Sequence, residues 1–267
     1  MSDIPPGGLF LAVVILLMIV TRWAVRFACL HLGRRSRRRV VCDQRCAGAS
    51  LRGQGHYRSG RLLVAALIIV GAITVLAFAV IDWSYASEID RRVNTLFVPY
   101  RAPWLVQLFI QITSLGTVVS TSTIVIIVSG LLWSAGRLQM LIPLWVSFLG
   151  AEATTWSIKY GIDRVRPDFL TGITEANPSF PSGHATAATV VLGFIAFIIA
   201  RDLPTRSQRI EIAYWAAVAI ATICLSRMFL SLHYLTDVLS GLLIGSLWLL
   251  IGVAISEWQR TRERPSS

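Results

Sequence analysis

Three short segments gather residue types that can do chemistry together. They are Lys159 with Arg166-Pro167, then Pro181-Ser182-Gly183-His184, then Ser226-Arg227 with His233 and Asp237. Together they offer three cations, two imidazoles and one carboxylate within about eighty positions. Such a set can hold a phosphoryl group by its oxygens, with the cations in the electrostatic role that Mg²⁺ takes in kinases. Lys159 is the single lysine among 25 basic residues, so the other 24 are arginines. A compact ammonium on a flexible stem suits an anion, although a lysine snorkelling from a helix end reads the same way. Pro167 biases Arg166 toward extended backbone, from which its planar fork can reach phosphate oxygens. Ser182 reads as the N-cap of a helix. The first-turn N–H groups of Gly183 and His184 would then form an anion site that the missing Cβ of Gly183 leaves open. Ordinary capping, with His184 at an interface, fits the same residues. Asp237 follows His233 by four residues, so one helical turn stacks carboxylate beside imidazole. A carboxylate on Nδ1–H leaves Nε2 as a nucleophile; a purely structural His–Asp cap is the other reading.

These segments are carried by apolar helices. Of 267 residues, 55% are hydrophobic and 15% charged, with a mean hydropathy of +0.65, against about 25% charged in soluble domains. Long apolar runs explain the difference: Leu62 to Ile81, Val118 to Trp133, Leu138 to Ile158, Ala185 to Ala200, Ile212 to Leu225 and Val238 to Ile255. All are too long and unbroken for buried strands. Extended into weakly polar flanks, they approach the roughly 20 residues of a membrane span. The expected fold class is therefore all-α: a polytopic membrane helix bundle with a six-helix core. Leu9 to Val20 adds an extra N-terminal helix with its N-terminus outside, or an interfacial one. The expected organisation is an N-terminal apolar helix and Arg-rich cytosolic segment over 1–60, a transmembrane core over 61–256 and a cytosolic tail over 257–267.

The net charge of +11 does not point to nucleic acid. Arginines crowd residues 34–61 and recur at Arg137, Arg201, Arg206, Arg209, Arg260, Arg262 and Arg264, in every second loop. Arg91, Arg92, Arg101 and Arg164 fall on the other side, so the bias is strong without being absolute; it is the distribution that orients a membrane protein with its positive loops in the cytosol. All three chemical segments then reach the same outer side. Between the first two spans, Pro103 opens a run with Gln107, Gln111 and Ser114 on one face, read as a helix lying in the interface or partly inserted. Cys42 and Cys46 are the only pair at metal-ligand spacing, without nearby histidines, so no metal site is expected. Glu152 lies two turns before Lys159 inside a span, where an ionisable group is a functional candidate by default. A buried hydrogen-bonding role inside the bundle is the expectation adopted for it.

The segments K-Y-G-I-D-R-V-R-P (Lys159 to Pro167), P-S-G-H (Pro181 to His184) and S-R-M-F-L-S-L-H-Y-L-T-D (Ser226 to Asp237) resemble those of the membrane-bound type 2 phosphatidic acid phosphatase superfamily. The resemblance implies a six-helix core over about 61–255 and a lipid phosphatase without metal or other cofactor. It further implies that Lys159, Arg166, Ser182, Gly183 and Arg227 bind phosphate, that His233 is the nucleophile oriented by Asp237, and that His184 is the general acid and base. The implied partners are the bilayer and a lipid phosphate or diphosphate: a prenyl diphosphate such as undecaprenyl diphosphate, phosphatidic acid, phosphatidylglycerol phosphate or a lipid A phosphate. A bacterial inner membrane with the site facing the periplasm is the expected location. A phosphotransferase using the same histidine, and a non-catalytic lipid transporter, are the competing readings.

Overall fold

The computed structural model describes residues 7–8, 10–16, 18–22, 54–82, 84–167 and 175–262. Cys29, Cys42, Cys46 and most of the Arg-rich segment lie outside these residues. The helices are α1 (Phe10–Arg22), α2 (Gln54–Asp82), α3 (Ser84–Leu96), α4 (Pro103–Ser114), α5 (Val118–Ser134), α6 (Leu141–Ile162), α7 (Gly183–Asp202), α8 (Arg206–Phe229) and α9 (Leu235–Arg262), with no strand among the described residues.

Leu62–Ile81 within α2, together with α7, α8 and α9, are long and apolar enough to cross a membrane. Helices α4 and α5 meet at a 45° bend and are long and apolar enough to cross only when taken together. With α6, which has 22 residues, these helices carry the six apolar runs expected of the core. Exposure agrees with a lipid surround: none of the Leu62–Ile81 window is buried, and a continuous apolar face of that size does not survive in water. α1 runs antiparallel to α8. Phe10 sits 5.4 Å from the Phe229 ring at one end, and Arg22 pairs with Glu211 at 2.9 Å at the other. The N-terminus of α1 is thus on the side of the three motifs, as the charge pattern predicts.

Local chemistry sets the helix ends. Thr117 caps α5 by accepting from Ser120 N at 3.2 Å, and Thr205 and Gln208 form a capping box at α8. α6 stops where Asp163 turns left-handed and its N–H bonds Lys159 O at 2.9 Å. The sequence reading of the outer segment before α5 was incomplete. Residues 84–96 form an amphipathic helix in which Glu88 pairs with Arg91 and Arg92 at 2.9 and 2.8 Å, while Ala86 and Asp90 face inward. The run from Pro103 does present Gln107, Gln111 and Ser114 outward, but Leu105, Phe109 and Thr113 are buried. α4 therefore packs one face against the bundle.

A close seam joins α7 to α9. A Cβ added at Gly241 would lie 2.5 Å from Ser182 O, and one at Gly245 would lie 2.6 Å from Thr189 Cβ and 2.8 Å from Thr186 O. Small residues at this spacing let two membrane helices meet backbone to backbone. The end of the bundle opposite the motifs is held by polar contacts, Arg137 with Asp202 at 2.5 Å and Arg201 with Ser256 Oγ at 2.9 Å. Gly245→Val should destabilise the detergent-purified protein by roughly 1–3 kcal/mol through overpacking. Gly130→Val, where an added Cβ meets nothing within 4 Å, should leave its thermal midpoint close to wild type.

Candidate active site

All eight sequence-derived residues meet at one end of the bundle. Lys159 comes from the last turn of α6, Arg166 from the extended segment after it, and Ser182, Gly183 and His184 from the start of α7. Arg227 belongs to the last turn of α8, His233 to the α8–α9 turn, and Asp237 to the first turn of α9. The α8–α9 turn is tight because the N–H groups of Leu232 and His233 both bond Arg227 O, at 2.9 and 3.3 Å. Ser231 takes a φ of 54° at its apex. Arg101 fastens that apex, donating to Phe229 O at 2.7 Å and to Ser231 Oγ at 2.6 Å. Behind it, Phe229, Leu230 and Leu232 pack against Leu105 and Phe109. Ser182 N donates to Asp237 O at 3.0 Å, tying the start of α7 to the residue beside His233.

The three cations line one cup. Arg166 Nη1 lies 3.2 Å from His233 Nε2, and Arg227 Nη1 lies 3.4 Å from His184 Nε2. A guanidinium can only donate, so each Nε2 is an acceptor and the neutral His233 ring carries its proton on Nδ1. Lys159 Nζ and Arg166 Nη2 both bond Pro178 O. Arg166 also donates to Asn177 O at 2.7 Å and Leu232 O at 2.7 Å. Burial pushes His233 well below its ordinary value, and Arg227, Arg166 and Lys159 push it further, against a smaller opposing effect of Glu175. Both effects favour the neutral imidazole, which keeps a lone pair on Nε2.

Two expectations are modified. Ser182 holds the N-cap backbone position, but its Oγ caps nothing; it is buried without a hydrogen-bond partner among the described residues. Its hydroxyl is thus free to bond an anion. Asp237 lies beside His233 as expected, yet Oδ2 stands 3.5 Å from Nδ1, longer than a hydrogen bond. The carboxylate is engaged elsewhere. Oδ1 accepts from Arg164 at 2.6 Å, while Oδ2 accepts from Tyr234 N at 2.8 Å and from Ser179 Oγ. At Glu152, Oε1 is buried without a hydrogen-bond partner among the described residues.

Glu175 is the largest omission of the sequence reading. Its carboxylate bridges the cup, with Oε1 2.5 Å from Arg227 Nη2 and Oε2 2.8 Å from Arg166 Nη2. Burial pushes this carboxyl up, but Arg227 and then Arg166 outweigh it and hold it down at about 2. No spacing rule marks a loop glutamate, so only its position nine residues before His184 could have drawn notice. The contact that the α4–α5 junction makes with the site was missed too. Thr113 Oγ1 accepts from Arg227 at 3.0 Å, and a Cβ on Gly116 would come within 3.1 Å of the His184 ring. A cavity of about 400 Å³, lined by Arg164, Arg166, Glu175 and Asn177 among others, opens onto this end. Among the described residues no cluster of three or more His, Cys, Asp or Glu could hold a metal ion.

Comparison with known proteins places the fold in a family. The family model described as PAP2 superfamily matches residues 140–261. Phosphatidylglycerophosphatase B of Bacillus subtilis (strain 168) is 34% identical over 171 residues, which is 63% of this chain and 84% of that protein. The crystal structure of the first transmembrane PAP2 type phosphatidylglycerolphosphate phosphatase from Bacillus subtilis superposes with a TM-score of 0.67 at 25% identity, covering 76% of this chain and 98% of that one. The crystal structure of Aquifex aeolicus LpxE shares the fold, with a TM-score of 0.51 at 20% identity over 66% of this chain and 98% of that one. The chain belongs to the PAP2 superfamily and is an integral membrane phosphatase of that superfamily.

The Glu175 ion pairs make a pH prediction. Its folded carboxyl lies below the ordinary 4.5, so the stabilisation it adds is complete above that value and fades as pH falls toward about 2. The difference in melting temperature between wild type and Glu175→Gln should be flat above about pH 5 and change only below it.

Proposed function

We propose that this protein removes a phosphate from a lipid phosphomonoester or diphosphate at the outer face of a bacterial inner membrane, without a metal and through a phosphohistidine. The observation that carries the reading is the Glu175 carboxylate gripped between Arg166 and Arg227. Two buried guanidinium groups already hold an oxyanion next to His233 Nε2, and the carboxylate oxygens stand in for those of a phosphate. A phosphate entering the cup displaces Glu175 and takes the Arg166 hydrogen bond now made to Nε2. Ser182 Oγ and the first-turn N–H groups of α7 supply further donors. A Cβ at Gly183 would meet only Thr155 Cγ2, at 3.8 Å. Protein packing therefore does not demand glycine there, whereas close approach of a ligand does.

The chemistry then runs in line. The Nε2 lone pair of His233 attacks phosphorus and a P–N bond forms. The bond from phosphorus to the leaving oxygen breaks, and His184, which takes up a proton when the negative charge of the substrate enters beside it, gives that proton to the leaving oxygen. The three cations spread the negative charge of the transferring group. In the second half, His184 takes a proton from water, the water oxygen attacks phosphorus, and the P–N bond breaks to free phosphate and restore His233. As the nucleophile becomes positive, the Asp237 carboxylate on its Nδ1 side stabilises it.

The lipid character of the substrate is supported by an apolar groove of about 380 Å³ between α2 and α6. It is lined by Ile73, Phe78, Ile158 and Ile162 among others, and it ends at the turn that carries Lys159. Outward orientation is supported by the arginines at the opposite end, including Arg137, Arg201 and Arg209. The name of the 34% identical relative puts phosphatidylglycerol phosphate first among substrates, ahead of phosphatidic acid, a prenyl diphosphate and a lipid A phosphate.

The test is phosphate release by the purified protein from those four lipids, in detergent with excess EDTA. Turnover of at least one is expected, with inhibition by vanadate, and His233→Ala should fall below roughly a thousandth of wild type. Loss of activity in EDTA, or turnover by His233→Ala, would defeat the mechanism. Glu175→Ala should lower the vanadate concentration needed for half inhibition, since the competing carboxylate is gone.

A further inference from the structure

Behind the Asp237 carboxylate lies a second layer of buried charge that none of the proposed roles uses. Arg164 Nη1 donates to Asp237 Oδ1 at 2.6 Å and to Thr236 Oγ1 at 2.9 Å, and its Nη2 donates to Asp90 Oδ2 at 2.8 Å. Its guanidinium lies over the Tyr234 ring, 4.3 Å from the centroid. Asp90 is on α3 and has no exposed surface. Its Oδ1 accepts from Thr236 N at 3.0 Å and its Oδ2 from Thr236 Oγ1 at 2.6 Å. Thr236 is the second residue of α9. Asp90 therefore satisfies a first-turn N–H of the helix that presents Asp237, reaching across from another helix to do it. Asp90 lies outside the segment matched to the family model.

Two buried carboxylates that share one guanidinium are mutually dependent, since each would otherwise stand as an uncompensated charge. The arrangement also fixes which way Asp237 faces. Arg164 occupies Oδ1, so Oδ2 is the oxygen left toward Tyr234 N, Ser179 and the imidazole. We propose that Arg164 and Asp90 are positioning residues of the active site, a clamp that holds the Asp237 carboxylate at the Nδ1 side of His233 and sets how much negative charge the imidazole faces there. The proposal rests on His233 being the nucleophile.

The clamp acts within a defined set of charges. His233 also faces Lys159 from α6, Arg166 from the segment after it, Glu175 from the loop before α7 and Arg227 from α8. His184 lies on the far side of Arg227. None of these is altered by changing Arg164 or Asp90. Removing the Arg164 charge exposes His233 to more of the Asp237 charge and favours its protonated form. Removing the Asp90 charge leaves Arg164 less neutralised and has the opposite effect. The two substitutions should therefore move the acid limb of the pH profile in opposite directions, which mere loosening of the fold would not do.

The experiment measures kcat/KM against pH for the full-length protein in detergent, on whichever lipid of the panel above the wild type turns over fastest. The ionisation of that lipid is common to all variants and cancels in the comparison. Arg164→Gln should move the acid limb up by about 0.5–1 pH unit and lower kcat roughly tenfold. Asp90→Asn, whose amide oxygen can still accept from Thr236 N, should move the limb down. Arg164→Lys keeps the charge but cannot fork to two carboxylates, so the limb should stay near wild type while kcat falls. Acid limbs that coincide with wild type, or that both move the same way, overturn the proposal. If Arg164→Gln does not yield folded protein, Asp90→Asn decides alone, and a limb that fails to move down overturns it. Turnover by His233→Ala would instead remove the functional reading on which the clamp rests.

Discussion

Packing three cations around one neutral imidazole is the constraint that the rest of the site has to satisfy. Lys159, Arg166 and Arg227 are 4%, 9% and 1% exposed, and like charges this close and this dry repel strongly. The protein meets that cost with oxygen. Carbonyls of Asn177, Pro178 and Leu232 and the carboxylate of Glu175 accept from the cup. The segment between Glu175 and Ser182 is thus a strip of acceptors laid across the guanidinium groups. A site held this way is ordered before substrate arrives, which is the condition under which fixed charges assist a transferring phosphoryl group most.

The helices exist to bring that strip, the α8–α9 turn and the start of α7 to one depth. Close approach of α7 and α9 at Gly241 and Gly245 sets Ser182 against Asp237. Arg227 and His233 are kept in register by a turn in which one carbonyl accepts two N–H groups. The bent pair α4 and α5 then closes the far side with Thr113 and Gly116 against Arg227 and His184. Even the short α3, which looks peripheral, reaches the centre through Asp90 and Arg164. The active site is a property of helix ends and turns, and the apolar middle of each helix serves to place those ends.

Much of this was legible because membrane helices write plainly. Apolar runs and the arginine bias together located the spans and put all three motifs on one side. The motif letters carried the cup, since lysine, arginine and histidine at helix ends are costly in a membrane protein unless used. The supporting charges left no comparable mark. Glu175 sits in a polar loop where any residue type is tolerated. Asp90 lies on a helix whose low hydropathy hid it among outer-loop residues. Arg164 stood inside a recognised motif, yet its role depended on a partner 74 positions away.

By itself, then, the order of residues determined that the chain is an all-α membrane bundle, that its motif residues face one side, and that they suit phosphoryl chemistry. Periodicity, hydropathy and charge placement are local or additive quantities, readable along a line. Tertiary structure alone decided which oxygen of Asp237 meets which donor, that the Ser182 hydroxyl is left free rather than spent on a cap, and that Glu175 fills the cup. Those outcomes depend on distances between side chains from different helices, where a difference of half an ångström separates a hydrogen bond from a mere neighbour.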